Sequence, residues 1–382
     1  MATEPDSKLI LPIIDAHVHL WPGDQVRSLR WCDATSSPHL ARQRSVREYL
    51  RSTTSAMPRS QLLGFIAIEA DRVHSDENDW DSPLEEISFF SRVAVGRPRE
   101  GEEEEEEEEG NSPAEAPLCL AFIPWAPMTG GASTLERYLK KAREAAGEEA
   151  WPKVRGFRYL LQDKPHGIML EPAFIESLKL LGKRGFVFEV AVDQHRRGKR
   201  QLEELVEMVG RAHEGVPDDE RVTFILNHLC KPDLTIYNLS SDPSFHAWRT
   251  AMYALSKAPR TYVKLSGAFS EMTPQLRSEP APQIFRSMFA WLGILIATFG
   301  PGRIIFASDW PICQQLRHVK GGVDGAQAAA AADDDDDDDD DDDVDSWSKW
   351  RDVVEKMCWM ATLDDVDRAM IFGGTAKKAY NL

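Results

Sequence analysis

Two stretches, IIDAHVHLW at 13–21 and IIFASDWP at 304–311, decide how this chain reads. The first carries His17 and His19 at the end of an apolar run. The second carries Asp309 at the end of another. Side chains two residues apart on a strand point the same way, so His17 and His19 converge on one point. If both runs are strands of one closed barrel, Asp309 reaches that point too. Two imidazoles and a carboxylate so placed can activate water, with or without a metal ion.

Working outward, eight short apolar runs read as buried strands: 13–20, 62–70, 118–125, 154–161, 186–192, 221–229, 261–269 and 303–309. Helical patterns fill most of the intervals, at 134–146, 172–184, 199–213 and 283–299, with a closing pair at 346–360 and 363–380. Strands too apolar to have a wet face, alternating with helices, mean a parallel sheet covered by helices. Eight repeats predict an α/β fold of one distorted (β/α)₈ barrel over 13–382, behind a tail at 1–12. An open doubly wound sheet is the alternative, but no GxGxxG or P-loop follows any strand.

Charge is concentrated. The formal net charge is −18, yet 102–109 is eight consecutive Glu and 333–343 is eleven consecutive Asp. Without those 19 acids the chain carries 44 acidic and 45 basic residues, a nearly neutral body with no nucleic-acid surface. Like charges at that density repel and stay solvated. Disordered insertions are therefore expected at 97–117 (Glu-rich) and 319–345 (Asp-rich), the sharper alternative for the second being an acidic lid or cation trap. The five Cys are scattered and odd in number, which argues against a disulfide framework. No secretory pattern opens the chain, and FAWLGILIATFG at 289–300 is too short to span a bilayer. A cytoplasmic protein without membrane or nucleic-acid partners is expected; a homo-oligomer is left open.

Polar residues gather where strands end: His17, His19, Glu69, Arg158, Gln162, Asn227, His228, Ser266 and Asp309, with Glu189 inside strand five and Asp193 and His195 after it. That is the catalytic face of a barrel. His228, in LNHLCKPD, is a third imidazole for the His17–His19 pair. Asp309 reads as general base for water, or as a buried carboxylate with a partner. Arg158 has the planar fork that suits carboxylate or hydroxyl oxygens, unless it is consumed by an ion pair with Glu69 or Glu189. Gln162, Asn227 and Glu69 are further substrate-binding candidates. Lys231 and Asp233 fit a substrate contact or a surface loop equally. Cys230 and Cys313 have no base beside them and read as packing, and no GxSxG elbow supports serine chemistry. Trp21, Trp125 and Trp310 suit pocket walls or core.

Together IDAHVHLW, GFRYLLQ, LNHLCKPD, VKLSGAF, FASDWPIC and the ending FGGTAKKAYNL resemble the amidohydrolase-related (amidohydrolase 2) family, within it the sugar-lactonase-like group. That resemblance implies a distorted barrel with hydrolytic chemistry at its C-terminal face. It maps the family's first-strand HxH onto His17 and His19, its sixth-strand His onto His228 and its eighth-strand Asp onto Asp309. The group's fourth-strand Arg falls on Arg158. It implies opening of a sugar-acid lactone, with one divalent ion, zinc first, held by His17, His19, His228 and Asp309, or with no metal. A binuclear centre is not expected, because strand four offers Arg and Gln where a carboxylated Lys would stand. Two other readings are a metal-dependent decarboxylase of an aromatic or unsaturated acid and an inactive barrel serving as an interaction protein.

Overall fold

A computed structural model describes residues 10–32, 40–54, 60–74, 79–101, 103–104, 109–314 and 344–382. All eight expected strands form: β1 Leu11–Val18, β2 Ser60–Ile68, β3 Cys119–Ile123, β4 Gly156–Leu160, β5 Val187–Ala191, β6 Thr223–Leu226, β7 Thr261–Leu265 and β8 Ile304–Phe306. Every pairing is parallel. The strands make a three-stranded sheet, β1-β2-β3, and a five-stranded sheet, β4-β5-β6-β7-β8. The single closed ring expected from the sequence is thus interrupted at two seams. At one, Pro124, which has no N–H, follows β3; isolated parallel bridges join Phe122 to Val154 and Trp125 to Arg158. At the other, β8 has ended by Asp309, whose φ of 65° leaves the extended region. There Val18 bridges to Trp310, Asp309 N–H donates to the His17 carbonyl at 3.0 Å and His19 N–H to the Trp310 carbonyl at 2.8 Å.

The helices are α1 Val46–Thr53, α2 Asp81–Val95, α3 Gly131–Ala150, α4 Pro172–Lys183, α5 Gln194–Arg197, α6 Lys199–His213, α7 Pro243–Ser256, α8 Pro274–Ser278, α9 Ala281–Phe299, α10 Val344–Met360, α11 Asp365–Ala369 and α12 Thr375–Ala379, a π-turn at Met370–Gly374 joining the last two. Helix α9 runs 19 residues and is apolar enough to cross a membrane by length and composition, longer than the stretch 289–300 implied. It buries a core stripe instead, Ile284, Met288, Trp291, Leu292, Leu295 and Phe299. Trp291 packs edge-on against Trp248 of α7 at 4.8 Å.

Strand alternation builds two layers. Phe65, Ala67, Phe122, Leu226 and Leu265 face the helices in the main core. Ile14, Ala16, Ile66, Ile68, Ala121, Ile123, Val187, Ile225, Tyr262, Ile305 and Ala307 form a second cluster on the other face, closed at one end by Tyr380. Two residues beyond four of these lie Glu189, Asn227, Lys264 and Asp309, all buried. A period of two therefore stacks a polar layer on the apolar one.

Within the Glu-rich stretch 97–117, part of 109–117 is anchored: the Glu109 carbonyl accepts from Arg47 N–H at 3.0 Å, and Asn111 and Ala116 are buried, while Pro113, Ala114 and Pro117 are exposed. The Asp-rich stretch 319–345 lies outside the described residues up to its junction with α10.

Candidate active site

A register shift between Asp15 and Val18 bends β1 just where the histidines begin. Asp15 consequently meets the helices while His17, two residues on, meets the polar layer. His17 Nε2 lies 3.2 Å from His19 Nε2. Asp309 Oδ1 stands 3.6 Å from His17 Nε2, 3.6 Å from His19 Nε2 and 3.8 Å from His228 Nε2. The four side chains named from the sequence are thus brought to one point, and all are buried.

Neither His228 nor Asp309 ends a strand, as the sequence had suggested. β6 stops at Leu226, and His228, Leu229, Cys230 and Lys231 follow with φ of 51°, 54°, 62° and 46°. Such left-handed backbone costs non-glycine residues energy, and it clusters where side chains must be aimed. Trp248 Nε1 supports the turn by donating to the Leu229 carbonyl at 2.7 Å. Gly267, at φ 61°, gives the His228 ring its room: a Cβ there would stand 2.5 Å from Nδ1. His228 Nδ1 is paired with Ser266 Oγ at 2.9 Å. His19 Nδ1 meets the Ile68 carbonyl at 3.0 Å. A carbonyl only accepts, so Nδ1 carries the hydrogen and Nε2 presents a lone pair.

Burial holds both His17 and His228 below the usual histidine range, His17 well below and His228 at about 3, so both are neutral imidazoles at neutral pH. Burial alone would raise the Asp309 carboxyl; His228 and His19 beside it, with Lys231 further off, bring it below the ordinary carboxylate value. Neutral imidazoles at His17 and His228 beside an ionised carboxylate form the arrangement a water-activating base needs.

Arg158 is paired with Glu69, not with Glu189: Nη1 donates to Glu69 Oε1 at 3.0 Å and to the Glu69 carbonyl at 3.2 Å. Its buried Nε has no hydrogen-bond partner among the described residues. The other Glu69 oxygen accepts from Asp71 N–H at 2.6 Å. Both Glu69 oxygens are therefore engaged, one of them holding Arg158. Burial pushes the Glu69 carboxyl up to about 7, against the opposing pull of Arg158. Gln162 is not drawn into the cluster. β4 ends at Leu160, and the Gln162 amide donates to its neighbour Asp163 at 3.4 Å. Asn227 is buried, with Nδ2 3.0 Å from Glu189 Oε2 and 3.4 Å from His17 Nδ1. Asp233 faces His195 at 3.4 Å. Trp21 and Trp310 are core residues.

Sequence reading missed Lys264 and Asp15. Lys264 is fully buried on β7, its Nζ 2.7 Å from each Glu189 oxygen and 3.0 Å from His17 Nδ1. Tyr380 Oη donates to Glu189 Oε1 at 2.6 Å. Burial brings Lys264 down to about 8, with Glu189 opposing the shift. The signal was present in both cases, a lone charge inside an apolar run, TYVKL and IIDAH.

For a divalent ion three donors fit in chemistry and spacing, with His228 Nε2, 3.8 Å from the carboxylate, as a fourth candidate. Bonds of about 2.0–2.2 Å to nitrogen and carboxylate oxygen put tetrahedral ligands about 3.4 Å apart, close to the 3.2–3.8 Å found here. His17, His19 and Asp309 have ligand atoms within 4.8 Å of one another. His19 and Asp309 present their lone pairs as they stand; His228 Nδ1 meets a hydroxyl, which can donate or accept, and His17 faces Lys264 with its second nitrogen.

Parallel strands joined through helices, with an HxH pair, a third imidazole and an aspartate at one point, define an amidohydrolase, and this chain belongs to that family, whose model, described as Amidohydrolase, matches residues 14–382. Among curated proteins it is similar to the L-rhamnono-gamma-lactonase of Scheffersomyces stipitis, 29% identical across 97% of this chain and 98% of that one. It also resembles an L-fucono-1,5-lactonase of Burkholderia multivorans, 29% identical over 44% of this chain and 53% of the relative. Among solved structures, an amidohydrolase from Burkholderia multivorans, with bound zinc in one crystal form, superposes with a TM-score of 0.64 at 22% identity, covering 97% of this chain and 99% of that one. A probable 2-pyrone-4,6-dicarboxylic acid hydrolase from Acinetobacter baumannii gives 0.55 at 12% identity, covering 97% and 99%. The family resemblance drawn from the motifs is borne out.

Proposed function

We propose that this chain opens the ring ester of a sugar-acid lactone, an aldonolactone of the L-rhamnono type, with its strands acting as one closed (β/α)₈ barrel. The observation that carries this reading is Asp309 Oδ1 standing 3.6–3.8 Å from three imidazole Nε2 atoms, in a chain with a full-length lactonase relative. Asp309 takes a proton from water as the water oxygen bonds to the lactone carbonyl carbon. His228, whose Nδ1 can accept from the Ser266 hydroxyl and so leave its hydrogen on Nε2, faces the oxyanion that develops. The carbonyl re-forms as the bond to the ring oxygen breaks, and that oxygen leaves as an alcohol with the proton Asp309 held. Arg158, its guanidinium fixed by Glu69, orients the sugar-acid oxygens. One divalent ion held by His17, His19, His228 and Asp309 would supply Lewis-acid polarisation of the carbonyl.

A panel of aldonolactones, with and without chelator, tests the assignment, together with Asp309→Asn. Hydrolysis of at least one member is expected, falling about 10³-fold or more in a folded Asp309→Asn variant. Wild-type turnover by that variant would overturn the mechanism. Inertness toward every lactone, with CO₂ released from aromatic acids, would transfer the assignment to a decarboxylase. An inert scaffold has no physical need for four convergent titratable groups.

A further inference from the structure

We infer that Lys264 is a positioning residue: it orients the hydrogen bonds of His17 and His19 in one direction and so sets how tightly the site holds a divalent ion. The inference rests on the reading that these imidazoles face the reacting centre.

An ammonium has three N–H groups and no acceptor. Lys264 Nζ has three neighbours to receive them, Glu189 Oε1 and Oε2 at 2.7 Å each and His17 Nδ1 at 3.0 Å. The Asn227 amide meets the same ring nitrogen at 3.4 Å. Its orientation is fixed, because Nδ2 also donates to Glu189 Oε2 at 3.0 Å and the reversed amide would set oxygen against carboxylate. Both groups facing His17 Nδ1 are donors. The single hydrogen of the neutral ring is therefore on Nε2, 3.2 Å from His19 Nε2. His19 accepts there, because its own hydrogen is on Nδ1, given to the Ile68 carbonyl at 3.0 Å. The result is one oriented chain from Lys264 through His17 and His19 to Ile68. Its sense is fixed at one end by a group that only gives and at the other by a group that only takes.

An ion needs a lone pair on Nε2 of both histidines. His17 offers one only with its hydrogen on Nδ1, where an acceptor must meet it. The carboxylate oxygen nearest to it is Glu189 Oε2, at 3.7 Å, and Lys264 holds both oxygens of that group. With the ammonium removed, the Asn227 amide at 3.4 Å is the one donor left facing Nδ1 among the described residues, and Glu189 Oε2, which it also meets, can accept the Nδ1 hydrogen. That would make the carboxylate–histidine pair that strengthens metal sites elsewhere. Tyr380, near the end of the chain, braces the same carboxylate at 2.6 Å.

The test is the zinc dissociation constant, read by competition with a chromophoric chelator at one pH. Lys264→Met is expected to bind zinc at least tenfold tighter than the unaltered chain, within the roughly 10- to 100-fold that such partners contribute. Adding Glu189→Gln to it should erase the gain. Equal or weaker binding by Lys264→Met would overturn the inference. If that variant does not fold, the unaltered metal-free chain decides, by NMR of ¹⁵N-labelled imidazoles. The His17 signal, identified by its loss in His17→Gln, should report Nε2–H; Nδ1–H would overturn the inference. Neither measurement uses lactone turnover, so an incorrect substrate assignment leaves both readable.

Discussion

Asp15 and Trp347, 332 residues apart in the chain, meet at 2.8 Å, the indole N–H donating to a carboxylate oxygen. The same carboxylate accepts from Tyr49 Oη at 3.0 Å, Ser308 N–H at 2.8 Å and His17 N–H at 3.3 Å. One buried acid thus ties α1 and α10 to β1, which carries His17, and to the loop that carries Asp309. Helix α10 grips the same region a second time, Trp350 Nε1 lying 3.0 Å from the Leu265 and Ala307 carbonyls.

Asp15→Ala would leave four buried donors without an acceptor. The cost is expected to be about 3 kcal/mol or more, read as a lower denaturant midpoint with an unchanged slope. A Trp347→Phe change removes one of those bonds and should cost about 1–2 kcal/mol. The two should be strongly non-additive in a double-mutant cycle; simple additivity would show that they do not act on each other.

Gly267→Ala puts a methyl group 2.5 Å from His228 Nδ1 at a φ of 61°. The imidazole must then move off Asp309. A loss of about 100-fold in kcat/KM is expected, with a destabilisation of about 1–2 kcal/mol from the backbone alone. Unchanged catalysis would place His228 outside the chemistry.

Arg158→Lys keeps the charge and loses the planar fork. If Arg158 holds substrate oxygens, KM should rise about tenfold or more, with kcat changing less. A fall in kcat at constant KM would assign it to the transition state alone.

Glu69 gives a pH signature. Its folded carboxyl titrates near 7, above its ordinary value of 4.5, so the folded chain binds the extra proton. The sign follows from linkage: this contribution is fully present below about 4.5 and is lost as pH rises through about 7. The melting temperature of the unaltered chain relative to Glu69→Gln should therefore fall between those values. A difference independent of pH would show that Glu69 is ionised throughout.

Much of this was legible in the sequence. Eight apolar runs gave eight strands, because a strand buried on both faces needs unbroken apolar residues. The HxH pair, His228 and Asp309 were recognisable because titratable groups at the ends of such runs have no packing reason to be there. The exact end of β4, two residues before Gln162, depends on the turn after Leu160, which local sequence does not fix. For Glu69 the sequence offers a substrate contact or an ion pair with Arg158, and only the three-dimensional course of β2 and β4 shows the pair formed.

The sequence by itself determined the alternating framework and the list of groups able to do chemistry, since periodicity and residue type are local properties. The tertiary structure alone decided which groups meet. The bend in β1 sends Asp15 to the helices and His17 to the polar layer, although a straight strand would point both the same way. Four left-handed residues after β6 aim His228, and Asp309 leaves the extended region to reach it. Lys264, a single charge in an apolar strand, gains its meaning from Glu189 and His17, 75 and 247 residues away. Hydrogen-bond partners at that separation are set by packing, and packing is a property of the whole fold.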